Sequence, residues 1–268
     1  MSDMNRSFAG SMPEFYDRIL VPVMFEPFAL DLAERLRGIT TGQVLELAAG
    51  TGVVTRALAR LLPAEASITA TDLNPAMLDR AKSHRGLDRV QWQVADALAV
   101  PFADRQFDCV VCQFGVMFFP DKRGTFREAA RVLRPGGRFM FNVWGDREGS
   151  PFDLAARVAG EFLGRDPASL VSPPYNGVGV VQADLTAAGF SAINCETVTK
   201  VIGSASARDA AMTMTQGGMI RAAIEAQMPS RLAEITEATA RAIEARFGSG
   251  PIDAPLRALL FTALRTTE

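Results

Sequence analysis

Residues 44–55 read VLELAAGTGVVT. An apolar run with Glu46 inside it passes into Ala49-Gly50-Thr51-Gly52, and a helical pattern starts at once at Val53. The pattern is that of a buried strand, a sharp turn and a helix N-terminus. Glycine in such a turn lets a ligand approach the main chain closely, because no Cβ stands in the way. The helix start offers free N–H groups and a partial positive charge, which suits an anionic or carboxylate-bearing ligand. Taken alone, a Gly-x-Gly turn is a weak signal.

Working outward, the surrounding pattern alternates strand and helix. Strands are predicted over 43–48, 67–73, 90–96, 107–114 and 138–144, with helices over 53–62, 76–84 and 121–133 between them. Asn74-Pro75 supplies an N-cap and a proline at the first helical position. Ahead of this block, 13–37 reads as helix broken at Pro22 and Pro27. Beyond Trp144, helices are predicted over 152–163 and 178–188 and a strand over 192–202. The stretch 206–247 is helical, punctuated by Gly217-Gly218 and Pro229. Strands joined by single helices imply right-handed crossovers and a mostly parallel α/β sheet covered on both faces. In a doubly wound sheet the ligand sits outside the carboxyl ends of the strands, so the residues just past each strand are the candidates.

Those residues are chemically distinctive. Asp72 closes the second strand, twenty residues past Gly52, where a carboxylate can accept from both ribose hydroxyls. Asn74 is better placed than Asp72 to cap the next helix. Asp96 and Ala97 close the third strand; an adenine amino group is a natural partner for the acid, with the Ala97 N–H available to a ring nitrogen. Glu46 stands inside an apolar strand, where a buried charge is costly and core packing does not account for it. A nicotinamide dinucleotide enzyme shares the glycine turn and the acid. It requires G-x-G-x-x-G, and Thr55 occupies the place of the third glycine. Asp96 would also set an anion near that negatively charged cofactor.

The order of these motifs resembles class I S-adenosylmethionine-dependent methyltransferases, in the small-molecule branch that includes the ubiquinone and menaquinone biosynthesis enzymes. VLELAAGTG, TATDLNPAML, QVADALAVPFADRQFDCVVCQFGVMFFPD and REAARVLRPGGRFMFNVW resemble that family's motifs in register from Val44 to Trp144, and LTAAGFSAINCETVT extends the likeness to Lys200. One departure is Ala48, where the family usually has its first glycine; alanine is compatible if the position keeps strand dihedrals. The resemblance implies a Rossmann-like, doubly wound, seven-stranded sheet of order 3-2-1-4-5-7-6. Its last strand, antiparallel, would be PLRALLFTALRT, which by propensity alone also suits a helix. It divides the chain into an N-terminal helical lid (1–40), the core (41–203), a helical cap insertion (204–250) and the final strand (251–268).

The same resemblance implies roles. S-adenosylmethionine is the expected cofactor. Ala48, Gly50 and Gly52 would line it with backbone, and Glu46 would organise the loop and help hold the methionine end. Asp72 would take the ribose, Leu73 would flank the adenine with Met77, and Asp96 and Ala97 would read the adenine edge. Gln113, Phe114 and Gly115 would face the methionine moiety and the methyl group. Tyr16 would shield the sulfonium or contact the cofactor's carboxylate, with helix packing the alternative. Trp144 and Tyr175 are candidates for the acceptor pocket, core packing being Trp144's alternative. No covalent nucleophile or metal is needed, and a general base only if the acceptor must lose its proton at the transition state. The only histidine, His84, sits among Arg80, Lys82 and Arg85 and reads as a solvated helix end.

Composition narrows the partners. With 28 basic and 30 acidic residues the net charge is −2, without the excess expected of a nucleic-acid surface. The start MSDMNRSFAG lacks the basic and apolar regions of a secretory leader, and 19–25 is too short to cross a bilayer. A cytoplasmic protein acting on a small molecule is expected. Cys109 and Cys112 lie three apart on a strand and face opposite sides; with Cys195 they read as small core residues. The stripe Met212, Met214, Met219, Ile220 and Ile224 reads as core or as an apolar lid over a hydrophobic acceptor. A cofactor-binding protein without transferase activity, or a methyltransferase acting on a macromolecule, are the alternatives.

Overall fold

The computed structural model describes residues 12–267; the opening MSDMNRSFAG lies outside them. The chain forms two compact units. One comprises Phe28–Gly145, Pro174–Val198 and the segment from Ala258, and the other residues 12–27, Asp146–Pro173 and Thr199–Arg257.

The seven strands are β1 (Gly42–Glu46), β2 (Ala66–Asp72), β3 (Val90–Val94), β4 (Phe107–Gln113), β5 (Leu133–Trp144), β6 (Phe190–Ser204) and β7 (Ile252–Arg265), in the order β3-β2-β1-β4-β5-β7-β6. The first five run parallel, with Val44 opposite Ile68 and Cys109, and Gln113 opposite Asn142. β7 runs antiparallel to β5, Phe141 facing Phe261. The strand at the chain's end therefore prevails over helix propensity, because its residues are needed in the core: Ala258, Leu260, Phe261 and Ala263 are all buried.

Helices α1 (Val53–Leu61), α2 (Pro75–Lys82), α3 (Lys122–Val132) and α4 (Val178–Ala187) belong to the sheet unit. The Asn74 side chain accepts from the Ala76 N–H at 2.9 Å with Pro75 at the first turn, so the cap read from sequence is present. Val44, Val54, Leu58, Ile68 and Val111 share one buried cluster. A second aromatic layer stacks Phe141 on Phe261, with Phe126, Phe139 and Phe190 around them.

The other unit is helical: α5 (Pro151–Leu163), α6 (Ala207–Thr215), α7 (Gly218–Gln227) and α8 (Leu232–Phe247). The breaks fall at Gly217-Gly218 and Pro229, as the sequence implies. Met214, Ile220 and Ile224 are buried and Met212 is exposed, so the apolar stripe is largely core of this unit. Pro22 does not break its helix. It lies in a ten-residue π-helical stretch, Tyr16–Phe25, whose wider turn accommodates the missing N–H, and the helix resumes as Glu26–Glu34. Cys109 and Cys112 are fully buried, and burial pushes both thiols up to about 12. Cys195 departs from the expected core position: it is half-buried on β6, where alternate residues face outward.

Candidate cofactor site

Acidic residues stand at or just past the carboxyl ends of β1, β2 and β3, and a glycine turn follows β1. Glu46 ends β1 and is 2% exposed. Its Oε2 accepts from the Thr55 hydroxyl at 2.5 Å, which ties the strand end to the first turn of α1. Burial pushes its carboxyl up to about 8, aided by the nearby Asp72 charge and opposed by Thr55 and Arg56. The turn that follows is held by Ala49 N–H donating to Thr71 O and by the Thr71 hydroxyl donating to Glu46 O, both at 2.9 Å.

Gly50 takes a φ of +56°, and a Cβ built on it meets nothing within 4 Å, so this face of the turn opens into free space beside the backbone. Asp72 faces the same turn. Its Oδ2 accepts from the Gly50 N–H and its Oδ1 from the Asn74 N–H, each at 2.8 Å. Its two oxygens offer about four acceptor positions, of which the Gly50, Asn74 and Leu73 N–H groups take up to three, leaving capacity for a ligand hydroxyl. Burial raises the Asp72 carboxyl against these N–H groups. Beside it Leu73 is 44% exposed, while Met77 on α2 is buried. At the end of β3 the exposed Asp96 accepts from the Leu98 N–H at 2.9 Å, next to the buried Ala97. The turn, a hydroxyl-accepting carboxylate, an apolar side chain and a second carboxylate fit a nucleoside-bearing ligand.

Ala48 departs from expectation. It does not keep strand dihedrals; its φ is +52°, in the left-handed region where a Cβ costs roughly 1–2 kcal/mol. The family's glycine would carry no such strain. The Ala48 Cβ also accounts for a neighbour: a Cβ on Gly115 would lie 2.6 Å from it and 2.8 Å from Cys112 Sγ. The turn after β4 is thus pressed against the turn after β1.

Phe114, in that second turn, is also left-handed, with φ +53°. Its ring stacks on Trp144 at 3.7 Å and 15°, and Phe28 meets both rings edge-on at 5.5 and 5.6 Å. The Trp144 N–H donates to Met117 Sδ at 3.5 Å. Gln113 is half-buried at the end of β4. A residue that the sequence does not single out holds this turn. Asn142 on β5, 3% exposed, accepts the Phe114 N–H on both its Oδ1 (3.0 Å) and its backbone oxygen (3.1 Å). The only signal in the sequence is an amide within the apolar run 139–144.

Tyr175 is placed among helices. Its hydroxyl donates to Asp184 Oδ2 at 2.6 Å, Arg123 donates to the other Asp184 oxygen, and the Lys122 ammonium lies 5.1 Å from its ring centre. Tyr16 belongs to the helical unit, its ring 5.1 Å from Phe25.

Residues 44–137 match the family described as a methyltransferase domain. The chain is 38% identical over 108 residues to the ubiquinone/menaquinone biosynthesis C-methyltransferase UbiE of Hahella chejuensis, covering 38% of this chain and 43% of that one. It thus spans half or less of the length of these curated relatives. Among solved structures, a putative sarcosine dimethylglycine methyltransferase from Galdieria sulphuraria matches 96% of this chain and 99% of its own, with TM-score 0.59 at 17% identity. The Haemonchus contortus phosphoethanolamine N-methyltransferase 2, solved with S-adenosylhomocysteine, matches 96% of this chain and 61% of its own, with TM-score 0.56 at 16% identity. Residues 44–137 of this chain are thus similar to the methyltransferase-domain family, and they lie on a seven-stranded sheet of order 3-2-1-4-5-7-6.

Proposed function

We propose that this chain transfers a methyl group from S-adenosylmethionine to a small, hydrophobic acceptor. The observation that carries the reading is the Asp72 carboxylate beside the open Gly50 turn. Asp72 accepts from the ribose on the acceptor capacity that the Gly50, Leu73 and Asn74 N–H groups leave. Leu73 and Met77 flank the adenine, and Asp96 with the Ala97 N–H reads its edge. Glu46 and the turn through Ala48, Gly50 and Gly52 hold the methionine end, which Gln113, Phe114 and Gly115 face. The likeness to UbiE supports a small acceptor, and the apolar Phe28–Phe114–Trp144 cluster supports a hydrophobic one. Tyr175 is left out of this pocket because its hydroxyl is committed to Asp184.

When bound, the cofactor supplies a methyl carbon on a sulfonium that is already strongly electrophilic. The residues of this chain then contribute mainly by fixing an acceptor in line with that carbon, and orientation of this kind accounts for roughly 7–11 kcal/mol of a barrier. Release of S-adenosylhomocysteine across a panel of quinols, phenols and small acids tests the reading. Turnover of at least one apolar member is expected. Cofactor binding with no turnover of any member would favour a binding protein without transferase activity.

A further inference from the structure

We propose that Asn142 is a positioning residue for the methyl-transfer site: its side-chain amide holds Phe114 in the left-handed backbone that sets the turn after β4. The inference rests on the function proposed above, because it is the cofactor's methionine end that this turn would meet.

The position is an unusual one for an amide. Asn142 lies between Phe141 and Val143, both wholly buried, in a strand packed on both sides, where a polar side chain is costly unless its bonds are made. Its oxygen makes one specific bond. Phe114 N–H already donates to the Asn142 backbone oxygen as the last rung between β4 and β5, and Oδ1 takes the same hydrogen at 3.0 Å. The second acceptor is therefore spent on a residue whose backbone most side chains avoid.

That geometry has a consequence in each direction along the chain. Phe114 presents its ring to Trp144 and Phe28, closing the carboxyl ends of β4 and β5 with three packed aromatics. Gly115 is brought so close to Ala48 that no side chain fits between them. Asn142 thus acts on the cofactor turn at second hand, through Phe114 and Gly115, and touches neither the cofactor nor the acceptor. A glycine at 114 would enter the left-handed region without strain, so it would remove the need for the clamp. A packing role for the Asn142 amide would be indifferent to that change.

The test is a double-mutant cycle read by calorimetric binding of S-adenosylhomocysteine to the full chain: wild type, Asn142→Leu, Phe114→Gly and the double variant. Asn142→Leu is expected to weaken binding about tenfold in the wild-type background, and less than about threefold in the Phe114→Gly background. If N142L does not fold, N142S takes its place in the same cycle. Equal losses in the two backgrounds, or no loss in either, would overturn the proposal. Absence of binding to the wild type would contradict the proposed function itself, so the two failures are distinguishable.

Discussion

Glu46 combines a structural cost with the binding role proposed for it. Its ordinary value is 4.5 and burial raises it to about 8. Between those values the folded chain holds a proton that the unfolded chain has released. This group's contribution to stability therefore falls as pH rises through that window, and is level above it. Glu46→Gln is expected to gain on the wild type between pH 5 and 8, by roughly 3–4 kcal/mol at most, in denaturant melts at the two pH values. A difference that does not grow with pH would contradict the assignment. The same variant is expected to lose affinity for S-adenosylhomocysteine, as a group retained for binding at the expense of stability should. Asp72 and Glu46 were legible from the sequence because an acid at a strand end, or inside an apolar strand, is seldom there for packing. Asn142 and the strain at Ala48 were not. Each depends on a partner brought close by the fold, Phe114 in one case and Gly115 in the other.

Among the elements, the two turns after β1 and β4 form one unit of contact. Gly115→Ala would force a Cβ against Ala48 and Cys112, and is expected to cost about 1–3 kcal/mol together with cofactor affinity. Adding Ala48→Gly removes the closer of the two clashes and relieves a left-handed alanine, so the double variant should recover part of both losses. Thermal melts of the three proteins decide the matter; no recovery would mean that Cys112 alone governs the fit. Local pattern located β1 to β4 within two residues, because buried parallel strands are short apolar runs bounded by clear turn and cap residues; it began β5 five residues late, since Pro135-Gly136-Gly137 reads as a turn but lies in the strand. It was ambiguous for β7, whose alternation is diluted by Leu259 and Leu260, and there the family likeness decided for a strand. It was also misleading at Pro22, since proline breaks an α-helix but is accommodated in a π-helical turn.

For the whole molecule, strand order came from the family resemblance, and the sheet has that order, 3-2-1-4-5-7-6. The grouping of Asp146–Pro173 with Thr199–Arg257 was not legible. It rests on contacts between distant segments, such as the Gln227 amide donating to Leu163 O at 2.8 Å and the Arg231 guanidinium 4.7 Å from the Phe162 ring centre, which leave no local periodicity. A ligand that binds only the folded chain stabilises it in proportion to its occupancy, by about 2.7 kcal/mol at a hundred times its dissociation constant. Saturating S-adenosylhomocysteine is therefore expected to raise the melting temperature by several degrees, and NAD at equal concentration to leave it unchanged. The most direct test of the central claim is calorimetric titration of S-adenosylhomocysteine into wild type and Asp72→Ala. Binding at a single site in the wild type, weakened about thirtyfold or more in the variant, is the expected result. No binding to the wild type, or equal binding to both proteins, would contradict it.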